Sequence, residues 1–394
     1  METNFDTLYD LCTYYYQIMA PNEALAASAV VHDVTLSFHF YRLPNDFVFD
    51  SQDTVNKVFS LCQTVDTATQ VLLGFNISVN QGVTLTPPYR CKGLVIFDIN
   101  LLTNNGTISM TSRGCMAAGQ DIYLYHDVLT QEYEFVPAVG AAGAPAYSLN
   151  SNNTASHGKN GSNGTKRQTG GGGNGGARRW NHYVYIGRGG NGTSYSGGAG
   201  AGAGNSDGSG GSNVSVAQGS DIGGAGSKGL VRASNSSGYS VISTGGQGNP
   251  NGGWESYRGS VSSVYTDVYG TGGLLVIYCT NLLNYGKIQS NGGNTMYASA
   301  SMSNISTGGA SGGGSVNIFS TYDIVAGTIT ATGGRRYGGG TYQGGLGGDG
   351  CVTIMSLLKA EVRLNSNFYK NPTPQETFDF NKLLEVCKNA SNTR

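Results

Sequence analysis

Gly273-Leu-Leu-Val-Ile-Tyr-Cys-Thr-Asn-Leu-Leu-Asn-Tyr-Gly286-Lys-Ile-Gln-Ser-Asn-Gly292 decides the reading of this chain, because the phrase recurs. An earlier copy runs Gly93-Leu-Val-Ile-Phe-Asp-Ile-Asn-Leu-Leu-Thr-Asn-Asn-Gly106-Thr-Ile-Ser-Met110. A later one runs Gly314-Ser-Val-Asn-Ile-Phe-Ser-Thr-Tyr-Asp-Ile-Val-Ala-Gly327-Thr-Ile-Thr-Ala-Thr-Gly333. Each reads as a strand, a turn through Asn or Gly, a short strand beginning Gly-x-Ile, and glycine. The apolar runs are rich in Val, Ile, Tyr and Thr and too short for helices. Partial copies stand at Gly119–Tyr125 and Gly350–Met355. One unit cannot bury its apolar face alone, so the copies are expected to stack into a continuous β core, solenoid-like or sandwich-like. The expected fold class is mainly β.

The copies are far apart in sequence, so the chain is expected to leave the core after about Pro137 and return near Gly272. Between them lies a glycine-rich domain, residues 139–271, with tracts Gly170–Gly176, Gly187–Gly192 and Gly197–Gly204. A flexible linker would fit its composition, but a linker has no use for Trp180, Tyr183, Tyr185, Ile186, Trp254 and Tyr257. Runs such as Gly172–Ala177 and Gly344–Gly350 place two glycines and one larger residue in each period of three. Three residues per turn is the period of an extended polyproline-II-type helix, and glycine faces let such helices pack at backbone distance. The insertion is therefore read as packed extended glycine helices.

Ahead of this, residues 1–73 read as a small α+β adaptor. The spacing of Leu8, Leu11, Cys12, Tyr15, Ile18 and Met19 predicts a short amphipathic helix within Phe5–Met19. Val34–Phe40 alternates as a strand, and Asp53–Cys62 reads as a second short helix. The core is then expected in two parts, residues 74–138 and 272–358, with residues 359–394 a C-terminal tail or docking segment.

Glycine supplies 63 of 394 residues, more than twice the roughly 7% that is usual. Charged residues are 12% and the formal net charge is −1. That balance gives no whole-chain footprint for nucleic acid or anionic membrane. No apolar run approaches the roughly 18 residues of a membrane span, and Met1–Asp6 lacks the basic and apolar regions of a secretory signal. Seven cysteines without a C-x-x-C pair are expected to be free thiols made in a reducing cytoplasm.

Motifs for chemistry are weak. No G-x-G-x-x-G here follows a strand and opens a helix, as phosphate binding requires. Gly344–Asp349 matches six positions of a calcium-binding nonapeptide, but such sites need several stacked copies; a packed glycine helix ending in a polar turn is the better reading. The five histidines have no metal-ligand spacing, so no metal and no cofactor is expected. A polysaccharide-cleaving spike would need two carboxylates at catalytic separation, and Asp207, Asp221, Glu255 and Asp267 form no pair identifiable from sequence. No catalytic residue is assigned, and the chain is read as non-enzymatic.

Gly82–Phe97, Asn105–Thr111, Tyr133–Gly143, Gly192–Gly198, Gly270–Tyr278 and Gly309–Phe319 together resemble the glycine-rich tail proteins of phages and prophages that infect gut bacteria. The resemblance covers about residues 74–355. More broadly, the design is similar to phage fibre-tip adhesins, in which glycine helices form a platform and loops at one end touch the host receptor. It implies a virion tail component, made in the bacterial cytoplasm and exposed after release. Its implied partners are other tail proteins and a host cell-surface receptor, glycan or protein. Fibres are commonly trimers and fibre-tip adhesins can be monomers, so a homo-oligomer is allowed. A purely structural virion protein (tail, baseplate or head decoration) and a glycan-degrading tailspike are the alternative readings.

Binding usually resides in insertions that project from a rigid scaffold. The basic-aromatic segment Arg178, Arg179, Trp180, His182, Tyr183 and Tyr185, with Trp254, Tyr257 and Arg258, is therefore the candidate receptor contact. Rings give contact area at low entropic cost, and Arg fixes orientation. The alternative is that Trp180 and Tyr183 pin the edge of the glycine lattice.

Overall fold

The fold is taken from a computed structural model, which describes residues 4–31, 34–63, 66–114, 272–294, 311–322, 324–325, 327–335 and 346–356, and the backbone of ten strands outside them. Of residues 351, 355 and 356 and of those ten strands only the backbone is described.

Thr7 opens the first helix, α1 (Leu8–Ile18), because its hydroxyl accepts the Asp10 N–H while the Asp10 carboxylate accepts the Thr7 N–H, a reciprocal capping box. Leu8, Leu11, Cys12 and Tyr16 form its buried stripe. Before and after it come β1 (Asn4–Phe5), β2 (Ala24–Val31), β3 (Val34–Asn45) and β4 (Val48–Phe49). Ser51 caps α2 (Gln52–Val58). Then follow β5 (Thr69–Phe75), β6 (Ile77–Val79), β7 (Thr84–Leu85), β8 (Gly93–Asn104) and β9 (Thr107–Ser109).

Beyond Gly114 the described strands are β10 (Ile122–Asp127), β11 (Glu132–Val136), β12 (Val184–Ile186), β13 (Ala203–Asn205), β14 (Leu230–Asn235), β15 (Gly238–Ser243), β16 (Trp254–Glu255) and β17 (Ser263–Val264). The repeated phrase resumes with β18 (Leu274–Asn284), β19 (Lys287–Gln289), β20 (Ser315–Ser320), β21 (Ile324–Val325), β22 (Thr328–Thr330) and β23 (Cys351–Ser356). The last described strands are β24 (Glu361–Leu364) and β25 (Asn367–Lys370).

The protein is mainly β, and its largest sheet is mixed. Its order is β1-β2-β3-β5-β8-β18-β20-β23-β24-β25. The centre, from β3 through β23, is parallel throughout. Register is continuous across it: Leu72, Ile96, Ile277, Ile318 and Ile354 stand side by side. A second sheet, β7-β9-β19-β22, is also parallel and aligns Leu85, Ile108, Ile288 and Ile329. The Ile96 column and the Ile108 column share one apolar core; the alternate residues Val95, Phe97, Val276, Tyr278 and Phe319 share another with α1. Burial on both faces is why these strands read as continuous apolar runs instead of alternating ones.

Three local devices hold the bend between the long and short strands. A Cβ on Gly286 would run into the Gly106 carbonyl, so the turns of successive units stack at backbone contact. Asn104 donates from Nδ2 to Asn284 Oδ1 (2.7 Å) and to the Lys287 carbonyl (3.0 Å), which links the two turns internally. Asp98, 1% exposed, accepts N–H bonds from Asn76 (3.2 Å), Ile77 (2.6 Å) and Asn100 (2.9 Å) where the chain passes from β5 to β6. Desolvation nevertheless holds its carboxyl above the ordinary range.

The structure differs from the sequence expectation at particular places. The partial copy Gly119–Tyr125 does not join the parallel core; β10 pairs antiparallel with β11 in a separate two-stranded sheet. The last strand of the two main sheets before β18 is β9, which ends at Ser109, ahead of Pro137. The expected boundary between residues 73 and 74 falls inside β5, and β1, β2 and β3 extend the same sheet as the repeats. The Gly350–Met355 copy does stack, as β23 beside β20. Within residues 139–271 the described parts are the short antiparallel strands β12 to β17. The tracts Gly170–Gly176 and Gly187–Gly192 lie outside the described residues.

Candidate functional site

Glycine segments that belong to no strand converge at one end of the repeats. Gly272 N–H donates to the Gly312 carbonyl (3.0 Å), Gly313 to Gly348 (2.9 Å), Gly314 to Ser290 (2.7 Å), Gly334 to Ser311 (2.7 Å) and Gly347 to Gly334 (3.0 Å). Gly292 donates to Thr332 (2.8 Å), and Gly350 to Ala331 (2.5 Å). Segment 311–314 is thus bonded by its backbone to four others, 272–273, 290–293, 331–335 and 346–350. Side chains are excluded from this packing: a Cβ on Gly347 would enter the Ser311 carbonyl, and one on Gly350 the Gly314 carbonyl.

The described residues on either side of 115–271, 295–310 and 336–345 all lie on this knot and are tied to one another. Gly272 donates to the Gly312 carbonyl, and Asn294 Oδ1 accepts the N–H of Arg335 at 2.7 Å. The Gly114 carbonyl is held by Arg90 Nε at 2.8 Å. Arg90 is fully buried, and its two terminal guanidinium nitrogens have no hydrogen-bond partner among the described residues.

The outward face of the second sheet runs into this knot. Its inward residues, Leu85, Ile108 and Ile288, are fully buried, so Thr84, Thr107, Lys287 and Thr328 form one outward row, and Ser109, Gln289 and Thr330 the next, in which Ser109 is covered. A third row is Thr111, Asn291 and Thr332. Asn291 joins it together: its N–H donates to Thr111 Oγ1 (3.0 Å), and its Oδ1 accepts from the Thr332 N–H (2.8 Å) and hydroxyl (3.1 Å). Gln289 Nε2 reaches Ser109 Oγ at 3.3 Å. The sequence carried a signal for this face, since Thr107-x-Ser109-x-Thr111 and Thr328-x-Thr330-x-Thr332 alternate polar with apolar. It was hidden by the stronger apolar runs beside it.

Of the sequence-predicted contact residues, two fall on described backbone. Tyr185 lies in β12 opposite Gly204, and Trp254 in β16 opposite Val264, in two different small sheets. Arg178, Arg179, Trp180, His182, Tyr183, Tyr257 and Arg258 lie outside the described residues.

Reactive-looking groups elsewhere are internally committed. His39 Nδ1 lies 3.3 Å from Asp66 Oδ2, Gln70 Nε2 donates to the same oxygen (3.0 Å), and Tyr41 OH donates to Gln70 Oε1 (2.7 Å). Cys62 beside them is pushed up to about 12 by burial and by the Asp66 charge, which holds it as a thiol at neutral pH. Burial likewise raises Cys279. Among the described residues no group of three His, Cys, Asp or Glu side chains is placed to hold a metal ion. Asp349, the acid of the nonapeptide-like stretch, accepts the Gly333 N–H at 2.8 Å.

No family model matches the chain, and no curated protein or solved structure matches it.

Proposed function

We propose that this chain is a structural, host-contact component of a bacteriophage tail, adhesin-like and non-enzymatic, assembled with other tail proteins and facing a host cell-surface receptor. One observation carries the reading: the described residues that flank 115–271, 295–310 and 336–345 are bonded into one glycine-packed knot at one end of a parallel β body. A buried stack of paired strands suits a support, and segments gathered at one end of a support are where recognition is placed.

The same reading takes the successive units as coils of a β-solenoid. It takes the backbone-bonded glycine segments as the first course of packed extended helices that continues through residues 139–271. Fixed segment-to-segment bonds at the root favour this over a loose linker, because a linker gives its ends no common anchor. The resemblance to phage tail proteins supplies the setting, a virion tail.

Labelling of particles with an antibody against the chain, viewed by negative stain, tests the proposal. Label at the distal end of the tail, together with competition of adsorption by the purified chain, is the expected result. Label confined to the head or to sealed internal positions favours the purely structural reading. Release of fragments from host capsular polysaccharide favours the tailspike.

A further inference from the structure

We infer that the outward face of the second sheet is a docking strip for an extended acidic polysaccharide; this deepens the host-contact reading and rests on it. The strip has three rows, Thr84/Thr107/Lys287/Thr328, Gln289/Thr330 and Thr111/Asn291/Thr332, with Ser109 buried beside Gln289. Neighbouring strands set its rungs about 4.8 Å apart, and alternate residues follow at roughly 6.6 Å along each strand. That is a regular grid of hydroxyl and amide groups, each able to donate and accept. Sugar hydroxyls along an extended polysaccharide present the same repeating pattern of donors and acceptors.

The grid is held in place before any ligand arrives. Asn291 bridges Thr111 and Thr332, and Gln289 reaches Ser109, so little side-chain freedom remains to be lost on binding. At the corner where β18 turns into β19, Tyr285 is 63% exposed, a ring available for stacking on a sugar face.

Charge selects the class of sugar. Lys287 and Arg335 are exposed at the two ends of the strip, and neither has an ion-pair partner among the described residues. The carboxylate of Asp349, in the segment bonded to 331–335, accepts the Gly333 N–H. Two exposed cations flanking a neutral hydroxyl-amide grid match a chain carrying carboxylates among its hydroxyls, and they give a neutral glucan no partner for their charge.

The test uses the full-length chain, with alginate oligosaccharides as the polyuronate probe and dextran of equal length as the neutral control, followed by saturation-transfer NMR and calorimetric titration. Wild type is expected to bind alginate and not dextran, with affinity falling as NaCl is raised. Lys287→Glu and Arg335→Glu are each expected to weaken binding tenfold or more, and Tyr285→Ala severalfold. Unchanged melting temperatures identify these as losses of contact. Lys57→Glu, at an exposed cation of α2 outside the strip, is expected to leave alginate binding intact. Absence of alginate binding by wild type overturns the strip, as do Lys287→Glu and Arg335→Glu variants that bind within twofold of wild type. Loss of binding in Lys57→Glu equal to that in Lys287→Glu overturns it too, as does capture of a host surface protein with no affinity for polyuronate. Failure of the tail reading is distinct, because it shows as absence of antibody label on particles whatever the sugar result.

Discussion

Ile277 stands directly beside Ile96 in adjacent parallel strands, although the whole of residues 115–271 lies between them in the chain. Both are fully buried, and Ile318 continues the column on the other side of Ile277. Removal of one methylene by Ile277→Val should lower unfolding free energy by about 0.5–1.5 kcal/mol. Ile277→Asp places a carboxylate in the same dry column and should prevent folding, since an unpaired buried charge costs far more than the roughly 1.5–3 kcal/mol that burial of the isoleucine contributes. Urea titration followed by circular dichroism measures both. A normally melting Ile277→Asp protein would show that the column is not buried.

Gly286 and Gly82 make a contrasting pair. A methyl on Gly286 collides with the backbone carbonyl of Gly106, which cannot give way without separating two units. Gly82 has φ +82° but nothing within 4 Å of a Cβ. Gly82→Ala should therefore cost only the left-handed backbone penalty, on the order of 1–2 kcal/mol. Gly286→Ala should cost clearly more, as the neighbouring backbone must move. Equal midpoints in urea would argue against turn-on-turn stacking.

Asp98 gives the protein an acid-side signature. Its folded pKa lies above the ordinary value of 3.8, chiefly through desolvation. Just above pH 3.8 the folded protein therefore holds a proton that the unfolded chain releases. By linkage, its contribution is fully present below that value and is lost as pH rises through the folded pKa. Asp98→Asn should flatten this slope in thermal melts across that window. It should also lower stability at neutral pH by about 1–3 kcal/mol, because an amide has one acceptor oxygen for three backbone N–H groups. A variant that keeps the wild-type slope would assign the pH dependence to another group.

Trp180→Ala and Trp254→Ala test the contact residues named from sequence. Each is expected to reduce adsorption of particles to host cells while assembly proceeds normally. Full adsorption by both would move recognition to the strip beside the knot or to the purely structural reading. Limited trypsin digestion of the native chain is the companion experiment. Packed glycine segments should protect Lys159, Lys166, Arg178 and Arg188, whereas cutting there ahead of any other site would indicate a linker.

The sequence by itself determined the repeat. It determined that Ile96, Ile277 and Ile318 are equivalent, that glycines 106, 286 and 327 mark the turns, and that Leu8, Leu11 and Cys12 share one helix face. Those facts are local: side-chain pattern and glycine placement are set by neighbours a few residues away, so periodicity reveals them. Only the tertiary structure decided which edges pair. Phe38 to Arg42 of β3 lie beside Thr69 to Leu73 of β5, which makes the amino-terminal block part of the core sheet; α1 is placed over Phe97 and Tyr278 through Tyr9. Likewise, β10 pairs with β11 and not with the repeats. The polar grid around Asn291 and the bond from Arg335 to Asn294 join residues 41 positions apart. No window of sequence contains such pairs. Backbone N–H and carbonyl groups are the same in every residue, so which of them meet depends on how the whole chain is stacked.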